Sequence, residues 1–102
     1  MMISTQKLLE GSLIVQGQGN IVSDMDGEKV MLSIEKGKYY NLGELGGSIW
    51  DLMKEPITFD QLVNELLNQY DVDKEVCVVQ VTDFLTQLND EGLMKIVDNR
   101  NS

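Results

Sequence analysis

The chain has 102 residues, room for one domain with one modest core, and its 42% hydrophobic and 25% charged content is a globular rather than a disordered balance. Asp and Glu number 17 against 8 Lys and Arg, for a net charge of −9, a field that repels polyphosphate and attracts cations or basic segments. Histidine is absent and cysteine occurs once, at Cys77, which excludes Cys-His and Ser-His nucleophile pairs, an intrachain disulfide and a thiolate metal cage.

No stretch approaches the roughly 18 apolar residues of a membrane span, and the opening "MMISTQKLLEGS" lacks a secretory h-region. A cytoplasmic protein without a membrane span, a metal or a cofactor is therefore expected. Residues 1–12 show no clear period and read as an N-terminal arm, with the domain over 13–97 and a C-terminal tail over 98–102.

From Leu13 to Leu42, short β-branched or aromatic runs are broken by glycine-bearing turns, the pattern of successive hairpins, with "MDGE" the clearest turn. Val30, Leu32 and Ile34 alternate with Met31 and Ser33, which puts the two sets on opposite faces of a strand. In the returning strand, Tyr40 and Leu42 share one face, the expected core face, and Tyr39 and Asn41 the other.

"LGGSIWDLMK" reads as a short helix that stops before Pro56. Thr58 and Gln61 form a capping box for a second helix that carries Phe59, Leu62, Val63, Leu66, Leu67 and Tyr70 at helical spacing. Asp73 begins a third helix, whose core stripe is Cys77, Val81, Phe84, Leu85 and Leu88, and Gly92 ends it in a left-handed conformation. "LMKIV", residues 93–97, fits either a terminal strand or a tail laid on the core. Strands followed by helices in this order make an α+β, winged-helix-like unit, a three-stranded antiparallel sheet followed by three helices.

Several motifs lead nowhere. "GELGGS" lacks the Lys-Ser/Thr of a phosphate loop and follows an antiparallel strand, so its glycines are read as a sharp turn off the sheet. "DMDGE" has neither the glycine nor the glutamate register of a calcium loop. Cys77 and Trp50 lie on apolar helix faces and read as core. Nucleic-acid binding, the other use of a winged helix, needs basic or amide side chains on the recognition helix, yet "DKEVCVVQVTDFLTQLNDEG" holds one lysine against five acids.

Two features remain. The third helix carries more apolar surface than one core stripe uses: at about 100° per residue, Val78 and Thr82 flank the stripe on the Leu85 side. The tyrosine strand is last in its meander, so unless "LMKIV" pairs with it, it presents unpaired N–H and C=O groups. An open edge beside a spare helix face is the arrangement that accepts an added peptide strand.

The run "DGEKVMLSIEKGKYYNLGELGGSIWDLM", then "PITFDQLVNELLNQYDVD" and "VCVVQVTDFLTQLNDEGL", resembles the PqqD-like family, the RiPP recognition elements, and looks most like the stand-alone members of lasso-peptide biosynthesis. The resemblance spans about residues 15–97. It implies a non-catalytic module that binds the leader segment of a ribosomally made precursor peptide as an added strand and presents it to a separate cysteine-type leader peptidase and a cyclase. Carried onto this chain, the receiving strand is Lys38, Tyr39, Tyr40, Asn41 and Leu42, and the groove wall is Val78, Val81, Thr82 and Leu85. The second reading within the family is a peptide chaperone for a radical enzyme in pyrroloquinoline quinone-type synthesis.

Overall fold

The computed structural model describes residues 12–98. In chain order these form strands β1 (Ser12–Gln16), β2 (Asn20–Met25), β3 (Glu28–Ser33) and β4 (Lys38–Leu42), then helix α1 (Gly43–Leu52) and the two-residue strand β5 (Ile57–Thr58). Helices α2 (Phe59–Gln69) and α3 (Lys74–Asp90) follow, and strand β6 (Met94–Asp98) ends the described chain. The expected α+β class, the antiparallel three-stranded sheet and the three helices are all present.

One sheet has the order β2-β3-β4 and a second, smaller sheet the order β5-β1-β6. The second sheet has no counterpart in the sequence pattern, which places the first strand in the tyrosine meander. Its pairings join Leu13 to Thr58 and Ser12 to Asp98, contacts between segments far apart in sequence that no local pattern announces. The expected arm and tail otherwise fall on residues 1–11 and 99–102, outside the described residues. "LMKIV" proves to be a strand, and its partner is β1.

The β2–β3 hairpin turns at Asp26 and Gly27, both with positive φ, +56° and +84°, the conformation a two-residue hairpin loop of right-handed twist requires. In β3 the two faces separate as the alternation predicts, but the buried face is that of Met31 and Ser33, while Ile34 is 61% exposed. Met31 and Tyr40 are cross-strand partners, which puts Tyr40, with Leu42, on the core side, as the period of two requires.

Only Gly43 (φ +73°) turns the chain off the sheet. Gly46 and Gly47 are buried inside α1 without positive φ, so their expected role as turn residues is corrected: they make room for neighbours. A Cβ on Gly47 would stand 3.0 Å from Cγ of Lys29, whose stem crosses α1 and whose ammonium reaches Asp24 (2.9 Å) and Asp51 (3.4 Å). Trp50 and Cys77 are buried with Ile14, Ile49, Leu62 and Val81 in one core.

Helix boundaries follow local chemistry. Thr58 Oγ1 accepts from Gln61 N–H and Gln61 Oε1 accepts from Thr58 N–H, each at 3.1 Å, so two donors otherwise orphaned at a helix start are satisfied. At the end of α3, Leu93 N–H donates to Leu88 C=O (2.8 Å) and Gly92 N–H to Asn89 C=O (3.1 Å) around Gly92 at φ +72°, the Schellman arrangement. Thr58→Ala removes one half of the capping box and is expected to cost about 1 kcal/mol of stability, read as a lower midpoint in urea at unchanged slope.

Candidate functional site

The hydrogen-bond phase of the larger sheet decides which groups of β4 are free. Ile34 N–H donates to Gly19 C=O at 3.1 Å, and bonded and non-bonded pairs alternate along an antiparallel ladder. Residues 30, 32 and 34 therefore aim their backbone groups at β2, and Met31 and Ser33 aim theirs at β4. Because Tyr40 opposes Met31 and Lys38 opposes Ser33, those two bond back to β3. The N–H and C=O groups of Tyr39 and Asn41 point outward, and no strand among the described residues pairs with them.

Beside this edge lies a cleft of about 500 Å³ between β4 and the C-terminal half of α3. Tyr39, Tyr40, Asn41 and Leu42 line it from the strand, and Phe84, Gln87, Leu88 and Glu91 from the helix. Leu42, Phe84 and Leu88 give it an apolar interior, whereas Gln87, Asp90 and Glu91 make its outer wall polar. Tyr39 is 74% exposed, on the solvent face of the sheet.

The expected site is thus brought together in part. Four of the five strand residues line the cleft; Lys38 belongs to β4 without lining it. The helix wall differs from the one expected. Val81 and Leu85 have 0% exposure and belong to the core. Val78 lines a separate groove with Phe59, Val63 and Lys74, on the side of α2. Thr82, half-buried, lies on the same flank of α3 as Val78, and its Oγ1 has no hydrogen-bond partner among the described residues.

The physical reason is a choice between two flanks. Around the α3 axis Val78 and Thr82 lie on one side of the core stripe, while Phe84, Gln87 and Glu91 lie on the other. The apolar flank is the one α2 covers, and the flank with Phe84 among polar residues faces the open strand. Leu88 belongs to the core and Phe84 packs against it, as their stripe predicts, and both also line the cleft, with Gln87 and Glu91, which were not singled out. The signal was in the sequence: an apolar flank is buried by a neighbouring helix, and a mixed flank borders solvent.

Glu91 ties wall to strand. Its Oε1 accepts from Tyr40 Oη at 2.9 Å and from Lys36 Nζ at 3.2 Å. The Tyr40 hydroxyl first, and the Lys36 ammonium with it, hold the Glu91 carboxyl below its ordinary value; burial first, then the Glu91 carboxylate, pushes the Tyr40 phenol up. Asn41 has its own duties, since Oδ1 accepts from Gly43 N–H and Nδ2 donates to Glu28 Oε1, both at 2.9 Å. Burial raises the Cys77 thiol, the opposite of what a reactive thiolate needs. Among the described residues no group of three or more acidic, thiol or imidazole side chains is placed to hold a metal ion, and no helix is long and apolar enough to cross a membrane.

This edge-and-cleft geometry occurs in a chain whose residues 28–94 match the family described as Coenzyme PQQ synthesis protein D (PqqD). The chain belongs to the PqqD family. No curated protein matches it. Among solved structures it is similar to "TbiB1 in Complex with the TbiA(beta) Leader Peptide", with a TM-score of 0.71, 26% identity, and coverage of 79% of this chain and 94% of that one. The family inferred from the tyrosine strand and the helices after it is therefore the family the comparisons give.

The pH dependence of the Tyr40–Glu91 contact follows from its sign. A carboxyl held below its ordinary 4.5 contributes stability that is complete above that value and is lost as pH falls through its lowered folded value. Between about pH 5 and 8 the side-chain resonances of Tyr40 should hold steady, and on acidification they should move together with those of Glu91 only below the ordinary carboxylate value; in Glu91→Gln this acid response should vanish.

Proposed function

We propose that the chain is a non-catalytic recognition protein that captures the leader segment of a ribosomally synthesised precursor peptide by strand addition to β4. The observation that carries this reading is the outward phase of Tyr39 and Asn41 beside the cleft between β4 and α3. A leader strand on that edge forms up to four backbone hydrogen bonds, each worth about 0.5–1.5 kcal/mol net. Its alternate side chains then enter the cleft against Phe84 and Leu88. Backbone pairing fixes register, and an aromatic or branched apolar anchor supplies most of the affinity.

The TbiB1 structure supports this reading, because a related fold was solved with a leader peptide bound. By the resemblance to the stand-alone lasso-peptide members, the precursor is a lasso peptide, and the bound leader is presented to a separate cysteine-type leader peptidase and a cyclase in the cytoplasm. The receiving residues are Lys38, Tyr39, Tyr40, Asn41 and Leu42, walled by Phe84, Gln87, Leu88 and Glu91.

The test is calorimetry and amide-shift mapping with two probes, the TbiA(beta) leader peptide and a synthetic leader from a second lasso-peptide precursor. Shifts should concentrate on residues 38–42 and the second half of α3; binding of neither probe, or shifts elsewhere, overturns the reading. Proline at position 39 removes one outward N–H without disturbing the Asn41 cap of Gly43, and proline is tolerated at sheet edges. Tyr39→Pro should fold and bind about 2- to 12-fold more weakly, the loss of one backbone hydrogen bond. Unchanged affinity in the folded variant counts against edge pairing.

A further inference from the structure

Gly46 is unexplained by backbone geometry. It lies in the middle of α1 with an ordinary helical φ, where glycine costs stability relative to alanine. What requires it is the ring of Phe84: a Cβ at position 46 would stand 2.7 Å from Cε1, 3.1 Å from Cζ and 3.3 Å from Cδ1. The ring edge therefore lies flat against the α1 backbone, in space that any other residue would fill. Phe84 is also part of the cleft wall.

We infer that Gly46 and Phe84 together set the depth of the cleft and select a large apolar side chain in the bound peptide. The inference rests on the leader-binding reading above. With no side chain at 46, the ring folds back toward α1 and leaves room between Leu42 and Leu88. Adding one methyl group removes that berth. Val81 and Leu85, which flank Phe84 along α3, are fully buried, and a packed core does not yield. The soft direction is the cleft, so the ring moves into the space the peptide anchor would occupy. The cost falls on binding rather than on folding.

Gly47 supplies the control. It is adjacent, buried and helical, and its added Cβ meets the flexible stem of Lys29 at 3.0 Å, not the Phe84 ring. Gly47→Ala gives the same gain in helix propensity and leaves the cleft wall alone.

The experiment compares Gly46→Ala, Gly47→Ala and the double variant Gly46→Ala with Phe84→Leu. In the free proteins, NMR should show the methyl group introduced by Gly46→Ala against the Phe84 ring and the ring displaced toward Leu42 and Leu88, with no such displacement in Gly47→Ala. By calorimetry with the two leader probes, Gly46→Ala should lose about tenfold or more in affinity, Gly47→Ala should stay near the parent, and the double variant, with its smaller side chain at 84, should recover much of the loss. An undisplaced ring, or equal binding by Gly46→Ala and the parent, overturns the inference while leaving leader binding intact. If the parent binds neither probe although the ring is displaced as expected, the leader-binding reading fails and the selection role goes with it. Should Gly46→Ala fail to fold, the single Phe84→Leu variant decides: it should deepen the cleft and favour a leader whose anchor is enlarged, and an unaltered preference overturns the inference.

Discussion

Two backbone amides and two carbonyls, those of Tyr39 and Asn41, are turned away from the sheet that holds them. Buried or half-covered peptide groups demand partners, and here the ladder phase set by the Asp26–Gly27 hairpin leaves these four for whatever comes next. The condition survives because the strand that follows α3 goes elsewhere. Had β6 joined the tyrosine strand, the edge would have been satisfied internally and the cleft beside it filled. Instead the five residues of β6 zip onto β1, and among the described residues the larger sheet is three strands wide.

The cleft is held at a defined width by side chains on both of its walls. The Schellman turn at Gly92 stops α3 just beyond Glu91, and Glu91 reaches across to Tyr40 with Lys36 sharing the same oxygen. One end of the groove is thus latched by charge-assisted hydrogen bonds. The interior is shaped by contact between α1 and α3 at Gly46. Strand edge and helix wall are thus joined by side chains, not by backbone pairing.

Much of this was legible in the chain. The capping box at Thr58, the left-handed Gly92, the tight turn at Asp26–Gly27 and the pairing of Tyr40 with Leu42 on the core face are local, and local chemistry fixes them. The second sheet was not legible, because Leu13, Thr58 and Val97 meet only through long-range packing. The wall of the cleft was misplaced by one flank of α3: periodicity identifies the stripe that faces the core but does not say which neighbour covers each side of it. Glycines 46 and 47 were misread for a related reason. Sequence shows that a side chain is missing, and only the packed structure shows what takes its place.

The pairing of Ser12 with Asp98 carries a consequence for architecture. Where the described residues begin and end are neighbours on the smaller sheet, while the open edge of β4 belongs to the larger one. A unit with adjoining ends can be spliced into a host polypeptide, or carry an appended enzyme, with little disturbance to its own packing. A connection made at β1 or β6 therefore joins a different sheet from the one that carries the open edge of β4.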